Sequence, residues 1–311
     1  MRVVDLFAGC GGLSLGFQKA GFDVVAAFDG WDVAVNCYRN NFKHPVIQID
    51  LSDTDNSISE IEKFQPDIII GGPPCQDFSH AGKRVENVRA ELTERFAEIV
   101  AGIEPLCFVM ENVARAQSSR TYERAREIFK NAGYGLTEIV LDASLCGAPQ
   151  KRKRFICFGI KGQKDCFALD TFTSRTSQKP MTLRDYFGNS LGFEYYYRHP
   201  RNYSRRAVYS IDEPAPTMRG VNRPIPKGYK GRPNDACPVT SDLHVLSTSE
   251  RALIQTFPQN FIWTGNKTDV EQMIGNAVPV NLAEFVGKVV KIELEKELQK
   301  NKDVRKQKRL S

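Results

Sequence analysis

Short apolar runs alternate with stretches of helical spacing through the first 160 residues. Arg2–Phe7, Val24–Phe28, Val46–Ile49, Ile68–Gly71, Cys107–Met110, Leu136–Leu141 and Phe155–Ile160 read as strands. Between them, Leu13–Ala20 (closed by Gly21), Val33–Asn41, Glu91–Ala101 and Arg120–Asn131 carry apolar residues at helical intervals. Such alternation predicts an α/β fold with a doubly wound, mostly parallel sheet. The pattern breaks near Lys161. Aromatics, prolines, glycines and arginines then dominate through Tyr229-Lys230-Gly231-Arg232-Pro233, which predicts a smaller, irregular second domain. Helices at Ser249–Gln255 and Leu282–Leu298 close the chain. The expected divisions are 1–164, 165–272 and 273–311, the last returning to the first.

Candidate chemistry sits where the predicted strands end. In open α/β sheets the ligand crevice lies outside the carboxyl ends of the strands. The run Asp67-Ile68-Ile69-Ile70-Gly71-Gly72 delivers Pro73-Pro74-Cys75 to that rim, which positions the thiol as a nucleophile. A small buried residue is the plainer use of a cysteine. Asp5-Leu6-Phe7-Ala8-Gly9-Cys10-Gly11-Gly12 joins the first strand to the first helix. Its glycines let backbone approach a ligand, although helix–strand packing would also account for them. The second and third strands end in Asp29-Gly30-Trp31-Asp32 and Asp50-Leu51. A carboxylate there can take ribose hydroxyls, a ring can stack on adenine, and a second acid can accept from the exocyclic amine. No lysine or helix-end phosphate cradle accompanies them. A nucleoside without phosphates points to S-adenosylmethionine.

Composition adds limits. With 41% hydrophobic and 26% charged residues over 311 positions, the chain reads as a soluble globular protein. No run approaches a membrane span, and Met1-Arg2-Val3 leads directly into a strand, so neither membrane insertion nor a signal peptide is expected. The eight cysteines show no C-x-x-C pair and no zinc spacing with histidine, so no metal is expected and reduced thiols in a cytoplasm are. The formal charge of +6 is uneven: residues 1–70 are net acidic and 161–270 net basic. A basic later half suits a polyanion, or simply a solvated face.

Taken together, Asp5–Gly12, Gly72-Pro73-Pro74-Cys75-Gln76, Glu111-Asn112-Val113, Gln150-Lys151-Arg152-Lys153-Arg154 and Gly275-Asn276-Ala277-Val278-Pro279 resemble the DNA cytosine-5 methyltransferases. Their order and spacing are similar to the bacterial restriction–modification type. The resemblance implies an S-adenosylmethionine-dependent methyltransferase fold with a target-recognition domain over 165–272. It implies methyl transfer to carbon-5 of a cytosine flipped out of double-stranded DNA, with S-adenosylhomocysteine as product. Cys75 matches the nucleophile, Glu111 the proton donor, and Arg152 and Arg154 the arginines that hold the base. Taken alone, Glu111 could be a solvated strand-end cap and the arginines a basic sheet edge. The implied cofactor residues are Phe7, Ala8, Gly9, Gly11, Gly12, Asp29, Trp31, Asp50, Leu51, Pro74, Leu92, Asn276, Ala277 and Val278. Those implied for DNA are Gln76, Ser79, Lys83, Arg84 and Arg89 around an active-site loop, and Thr217 and Arg219 in the recognition segment. His80 is read as a loop residue near phosphate rather than a base.

One position departs from the family. A glutamate usually precedes the adenine-stacking residue; here that place is Gly30, with Asp29 one step earlier. A monomer is the simplest expectation, with a cognate restriction endonuclease as genetic partner. A tRNA cytosine-5 methyltransferase and a non-catalytic DNA-binding relative are the alternatives. Retention of Cys75, Glu111, Arg152 and Arg154 together argues against the second.

Overall fold

The computed structural model describes residues 1–74, 91–200, 202 and 204–308. Its strands are β1 (Arg2–Leu6), β2 (Asp23–Asp29), β3 (Val46–Gln48), β4 (Ile68–Gly71), β5 (Cys107–Val113), β6 (Tyr134–Asp142), β7 (Gln150–Lys151), β8 (Lys153–Lys161), β9 (Tyr195–Tyr197), β10 (Val208–Ser210), β11 (Ala215–Pro216) and β12 (His244–Val245). Its described helices are α1 (Gly12–Lys19), α2 (Asp32–Arg39), α3 (Thr54–Glu62), α4 (Leu92–Ile103), α5 (Arg120–Asn131), α6 (Leu169–Arg175), α7 (Leu183–Phe187), α8 (Thr248–Ile254), α9 (Lys267–Asn276) and α10 (Val280–Lys308).

Seven strands form the main sheet in the order β3-β2-β1-β4-β5-β8-β6. The first five are parallel, and β8 runs antiparallel between β5 and β6. Alternation along each strand feeds two cores. Val3, Ile68, Ile70, Val109, Ile156 and Phe158 meet α1, α6 and α10 on one face. Val4, Ile69, Phe108, Met110 and Phe155 meet α4 and α5 on the other. The sheet is doubly wound, as the periodicity predicts.

The last helix lies against the first. A Cβ at Gly16 would stand 2.3 Å from the Ala283 Cβ, and one at Gly287 would stand 2.8 Å from that of Ala20. Only small residues permit this approach between α1 and α10. Packing groups the chain differently from the expected boundaries at 164 and 272. Ala168 and Phe172 belong to the main core. Phe257, Phe261, Val270 and Met273 pack with Cys10, Ala34 and Cys37 of the N-terminal region. The independent clusters of the later half lie between Leu183 and Ile254, around the small sheet β10-β9-β12.

Four described helices have no counterpart in the sequence reading: α3, α6, α7 and α9. The starts of α3, α7 and α9 carry capping signals. Asp53 caps α3 by accepting from Asn56 N at 3.2 Å, and Asn266 caps α9 through Asp269 N at 3.0 Å. Thr182 and Asp185 form a capping box on α7. No helix among the described residues is long and apolar enough to cross a membrane.

Candidate functional site

Strands β1, β4 and β5 lie side by side, so their carboxyl ends open onto one crevice. At the exit of β4, Gly72 makes room for a side chain from β5: a Cβ there would stand 3.2 Å from Glu111 Oε2. Buried Asn112, the next residue of β5, donates from Nδ2 to Pro73 O at 3.1 Å. The Pro-Pro turn is thus fastened to the strand that carries Glu111. Cys75 follows Pro74 directly. It and Gln76, Ser79, Lys83, Arg84 and Arg89 lie outside the described residues.

Strand β8 brings Arg154 to the same place. In the antiparallel register Glu111 opposes Ile156 and Val113 opposes Arg154. Arg154 is therefore the diagonal neighbour of Glu111 on one sheet face. Its Nε stands 2.7 Å from Glu111 Oε1, and both side chains are largely buried. Burial pushes the Glu111 carboxyl up from the usual carboxylate range, while the Arg154 and Arg152 charges pull it back. The same burial lowers the Arg154 guanidinium, opposed by Glu111. A carboxyl raised against two adjacent cations can hold a proton closer to neutral pH than an exposed glutamate can.

Arg152 does something different. At 1% exposure it is fully buried. It donates from Nη1 to Met218 O at 2.8 Å, and from Nη2 to Gly275 O and Ala277 O at 2.9 and 3.0 Å. Desolvation, followed by repulsion from Arg154, holds its guanidinium well below the ordinary arginine value. Its hydrogen bonds join the junction between β7 and β8 to two other segments, whereas Arg154 faces Glu111.

The turn between β1 and α1 is the other half of the crevice. Phe7, Gly9 and Gly11 have positive φ of 55°, 55° and 96°, which brings successive N–H groups toward one side of the turn. A Cβ at Gly9 would meet nothing within 4 Å, whereas one at Gly12 would stand 2.4 Å from Val278 O. The turn is thus open at Gly9 and closed against Ala277-Val278 beneath. Ala8 is buried, Trp31 half-buried at the start of α2, and Leu51 buried in the core. Pro74 and Leu92 are half-buried, and Asn276 is exposed, accepting from Gln272 Nε2 at 2.9 Å. Asp50 is exposed. It accepts from Ser52 N and Oγ at 2.9 and 2.7 Å, which holds its carboxyl below the ordinary value. Asp29 accepts from Gly9 N at 2.8 Å through Oδ2 and from Trp31 N at 2.7 Å through Oδ1. Its carboxylate staples the two turns together.

The segment Thr217–Gly220 is held from several sides. Thr217 Oγ1 donates to Lys151 O at 2.9 Å, and Met218 N donates to Gln150 Oε1 at 2.8 Å. Arg219 donates from Nη2 to His199 O at 2.6 Å. Buried Arg251 is paired with Glu271 and also donates to Arg219 O. A Cβ at Gly275 would stand 2.1 Å from Gly220 N, so the two glycines let this segment touch the one below the β1–α1 turn.

Sequence reasoning assigned no role to several residues that build the site. Asn112, Gln150 and Gly275 stood inside quoted motifs, and their contacts now explain their place. Gln255, whose Oε1 accepts from Gln150 Nε2 at 2.8 Å, and the Arg251–Glu271 pair had no local signal, because their partners are distant in sequence. Asp5 was quoted too. Fully buried, it accepts from Ser14 Oγ at 2.6 Å and Ser14 N at 3.1 Å through Oδ2, while Oδ1 has no hydrogen-bond partner among the described residues. Desolvation pushes its carboxyl up to about 7. Ser14 Oγ accepts from Tyr38 OH, which also meets His44 Nε2, both at 2.6 Å.

A model of the C-5 cytosine-specific DNA methylase family matches residues 1–292. The Type II methyltransferase M.HindV of Haemophilus influenzae is 54% identical over 299 residues, spanning 96% of this chain and 98% of that protein. M.HgiDI of Herpetosiphon aurantiacus, also a Type II methyltransferase, is 53% identical over 287 residues, with 92% and 93% covered. A solved structure described as a DNA modification methyltransferase encoded within an E. coli prophage superposes with a TM-score of 0.69 at 23% identity, covering 95% of this chain and 99% of that one. The S. pombe Dnmt2 methyltransferase gives 0.67 at 19% identity, covering 95% and 98%. At those identities the two structures speak to the fold alone.

Proposed function

Since the chain belongs to the C-5 cytosine-specific DNA methylase family and is a DNA methyltransferase of the Type II restriction–modification kind, we propose that it draws its methyl group from S-adenosylmethionine and works through a Cys75 adduct. The observation that carries this reading is the buried Glu111–Arg154 pair beside the Gly72-Pro73-Pro74 exit.

The crevice suits an uncharged nucleoside. Phe7–Gly12, Asp29–Asp32 and Asp50–Ser52 contain no lysine or arginine, and the turn is open at Gly9 beside half-buried Trp31. Trp31 would stack on adenine, Asp50 would take its amine, and the Phe7–Gly12 and Asn276–Val278 backbones would line the remainder. When bound, the cofactor supplies a methyl group on a sulfonium.

Carbon-5 of cytosine is a poor nucleophile. The Cys75 thiolate adds to carbon-6, and Glu111 passes its proton to the ring nitrogen that gains electron density, so carbon-5 becomes nucleophilic. Arg154 holds the ring carbonyl and keeps Glu111 oriented. After methylation the hydrogen on carbon-5 leaves as a proton to water, the thiolate departs as the ring double bond re-forms, and the ring nitrogen returns its proton to Glu111. Arg152, through its three carbonyls, positions β8 rather than touching the base. Residues between Leu183 and Leu246, with Thr217 and Arg219, would read the duplex. The modification protects host DNA from a cognate endonuclease.

Labelled methyl transfer, with duplex DNA and tRNA offered in parallel and the modified cytosines mapped, tests the reading. Label on carbon-5 of cytosines at one short duplex sequence is expected, and label on tRNA alone would overturn it. Cys75→Ser should reduce turnover at least about a hundredfold while duplex binding survives; undiminished methylation would remove Cys75 from its role.

A further inference from the structure

The carboxyl end of a second parallel strand is where a nucleoside-binding α/β sheet ordinarily offers a carboxylate to ribose hydroxyls. Here that end is occupied otherwise. Both oxygens of Asp29 already accept backbone N–H groups, from Gly9 and Trp31. Swinging the carboxylate toward a sugar would orphan two donors and release the β1–α1 turn from the β2–α2 turn. The next residue, Gly30, is exposed and has no side chain to offer. Asp50, at the end of β3, is held by Ser52 through Oδ1.

Resting on the S-adenosylmethionine reading above, we propose that this site grips its cofactor by the adenine and by the amino-acid end and leaves the ribose hydroxyls to water. The Asp29 carboxylate serves as a staple between two turns, and Gly30 leaves the sugar corner open. The site should then accept cofactors altered at the ribose, and a single substitution should close that tolerance. Gly30 does not have a positive φ, and a Cβ there would meet only Ile49 O, at 3.3 Å. A glutamate therefore fits with a slight adjustment and would carry a free carboxylate to the sugar.

The test is calorimetric titration of the full chain with S-adenosylhomocysteine and with its 2′-deoxy and 3′-deoxy analogues. The parent protein should bind all three within about threefold of one another. Gly30→Glu should bind S-adenosylhomocysteine more tightly and the deoxy analogues on the order of tenfold less well than it, because a charge-assisted hydrogen bond is lost with the hydroxyl. Asp32→Asn controls for the exposed carboxylate in the first turn of α2. A penalty of about tenfold for either analogue in the parent protein, whether or not Asp32→Asn removes it, would overturn the open corner while leaving the cofactor reading intact. A Gly30→Glu variant that still fails to discriminate would overturn it as well. No binding of S-adenosylhomocysteine by any variant would sink the cofactor reading, and this inference with it.

Discussion

Two buried acids in this protein differ in what surrounds them, and that difference assigns their behaviour. Glu111 faces two guanidiniums that oppose its desolvation, so burial raises its carboxyl and the guanidinium charges pull it back. A Glu111→Gln variant keeps the shape and loses the transferable proton. Methyl transfer should fall by about a hundredfold or more while S-adenosylhomocysteine affinity moves less than about threefold; equal losses in both would refute the acid role. Among the described residues Asp5 is opposed by no cation and keeps one oxygen without a partner. The folded protein retains its proton to about pH 7, whereas the unfolded chain releases it near 3.8. Between those values the native state binds more protons, so stability falls as pH rises and levels above about 7. The span corresponds to about 4 kcal/mol at 1.36 per unit. Asp5→Asn should flatten the pH dependence of unfolding midpoints between about pH 4 and 7, and an unchanged slope would show that Asp5 ionises normally.

At the scale of elements, the site is a junction of chain segments far apart in sequence. The β8 strand supplies Arg154 to Glu111 on one side and, just before it, Arg152 to Met218, Gly275 and Ala277 on the other. Thr217–Gly220 and Gly275–Val278 therefore share one buried guanidinium, and Gly220 and Gly275 touch directly. A Cβ at Gly275 would stand 2.1 Å from Gly220 N and 2.4 Å from the Arg219 carbonyl carbon, both backbone atoms with little freedom to yield. Gly275→Ala should displace Arg219 and weaken binding to the cognate duplex by about tenfold or more, a loss on the order of 1.4 kcal/mol. Electrophoretic mobility shift would record it, and unaltered affinity would mean that the recognition segment is not set by this contact.

For the whole molecule, charge is divided between the two halves: residues 1–70 are net acidic and 161–270 net basic. Affinity for duplex DNA should fall linearly with the logarithm of salt, by about a thousandfold between roughly 50 and 200 mM if about six phosphates are neutralised. Fluorescence anisotropy across that range measures the slope, and a flat profile would argue that the basic half does not meet the backbone.

The sheet was legible in the sequence because its strands are short β-branched runs with caps and glycines between them. Even the strand ends were nearly right: Val46–Ile49 was expected and Val46–Gln48 is observed. The helices α3 and α9 escaped because their apolar positions are few; their caps were the available signal. Periodicity does not show that Phe172 joins the main core or that Phe257 packs with Cys10 and Ala34, because a core is shared by residues that periodicity cannot relate.

Local pattern determined the doubly wound sheet and the glycine turn, since strand period and turn chemistry act over a few residues, and the resemblance of whole motifs to a known family marked Glu111, Arg152 and Arg154. Only the tertiary structure decided what those side chains do. It turned Arg154 to Glu111 and Arg152 to three distant carbonyls, although the two differ by a single turn of the strand period. It also bound Asp29 to Gly9 and Trp31, leaving Gly30 as the open corner. Hydrogen-bond partners that lie far away along the chain are fixed by packing, and packing is not written in the spacing of any one segment.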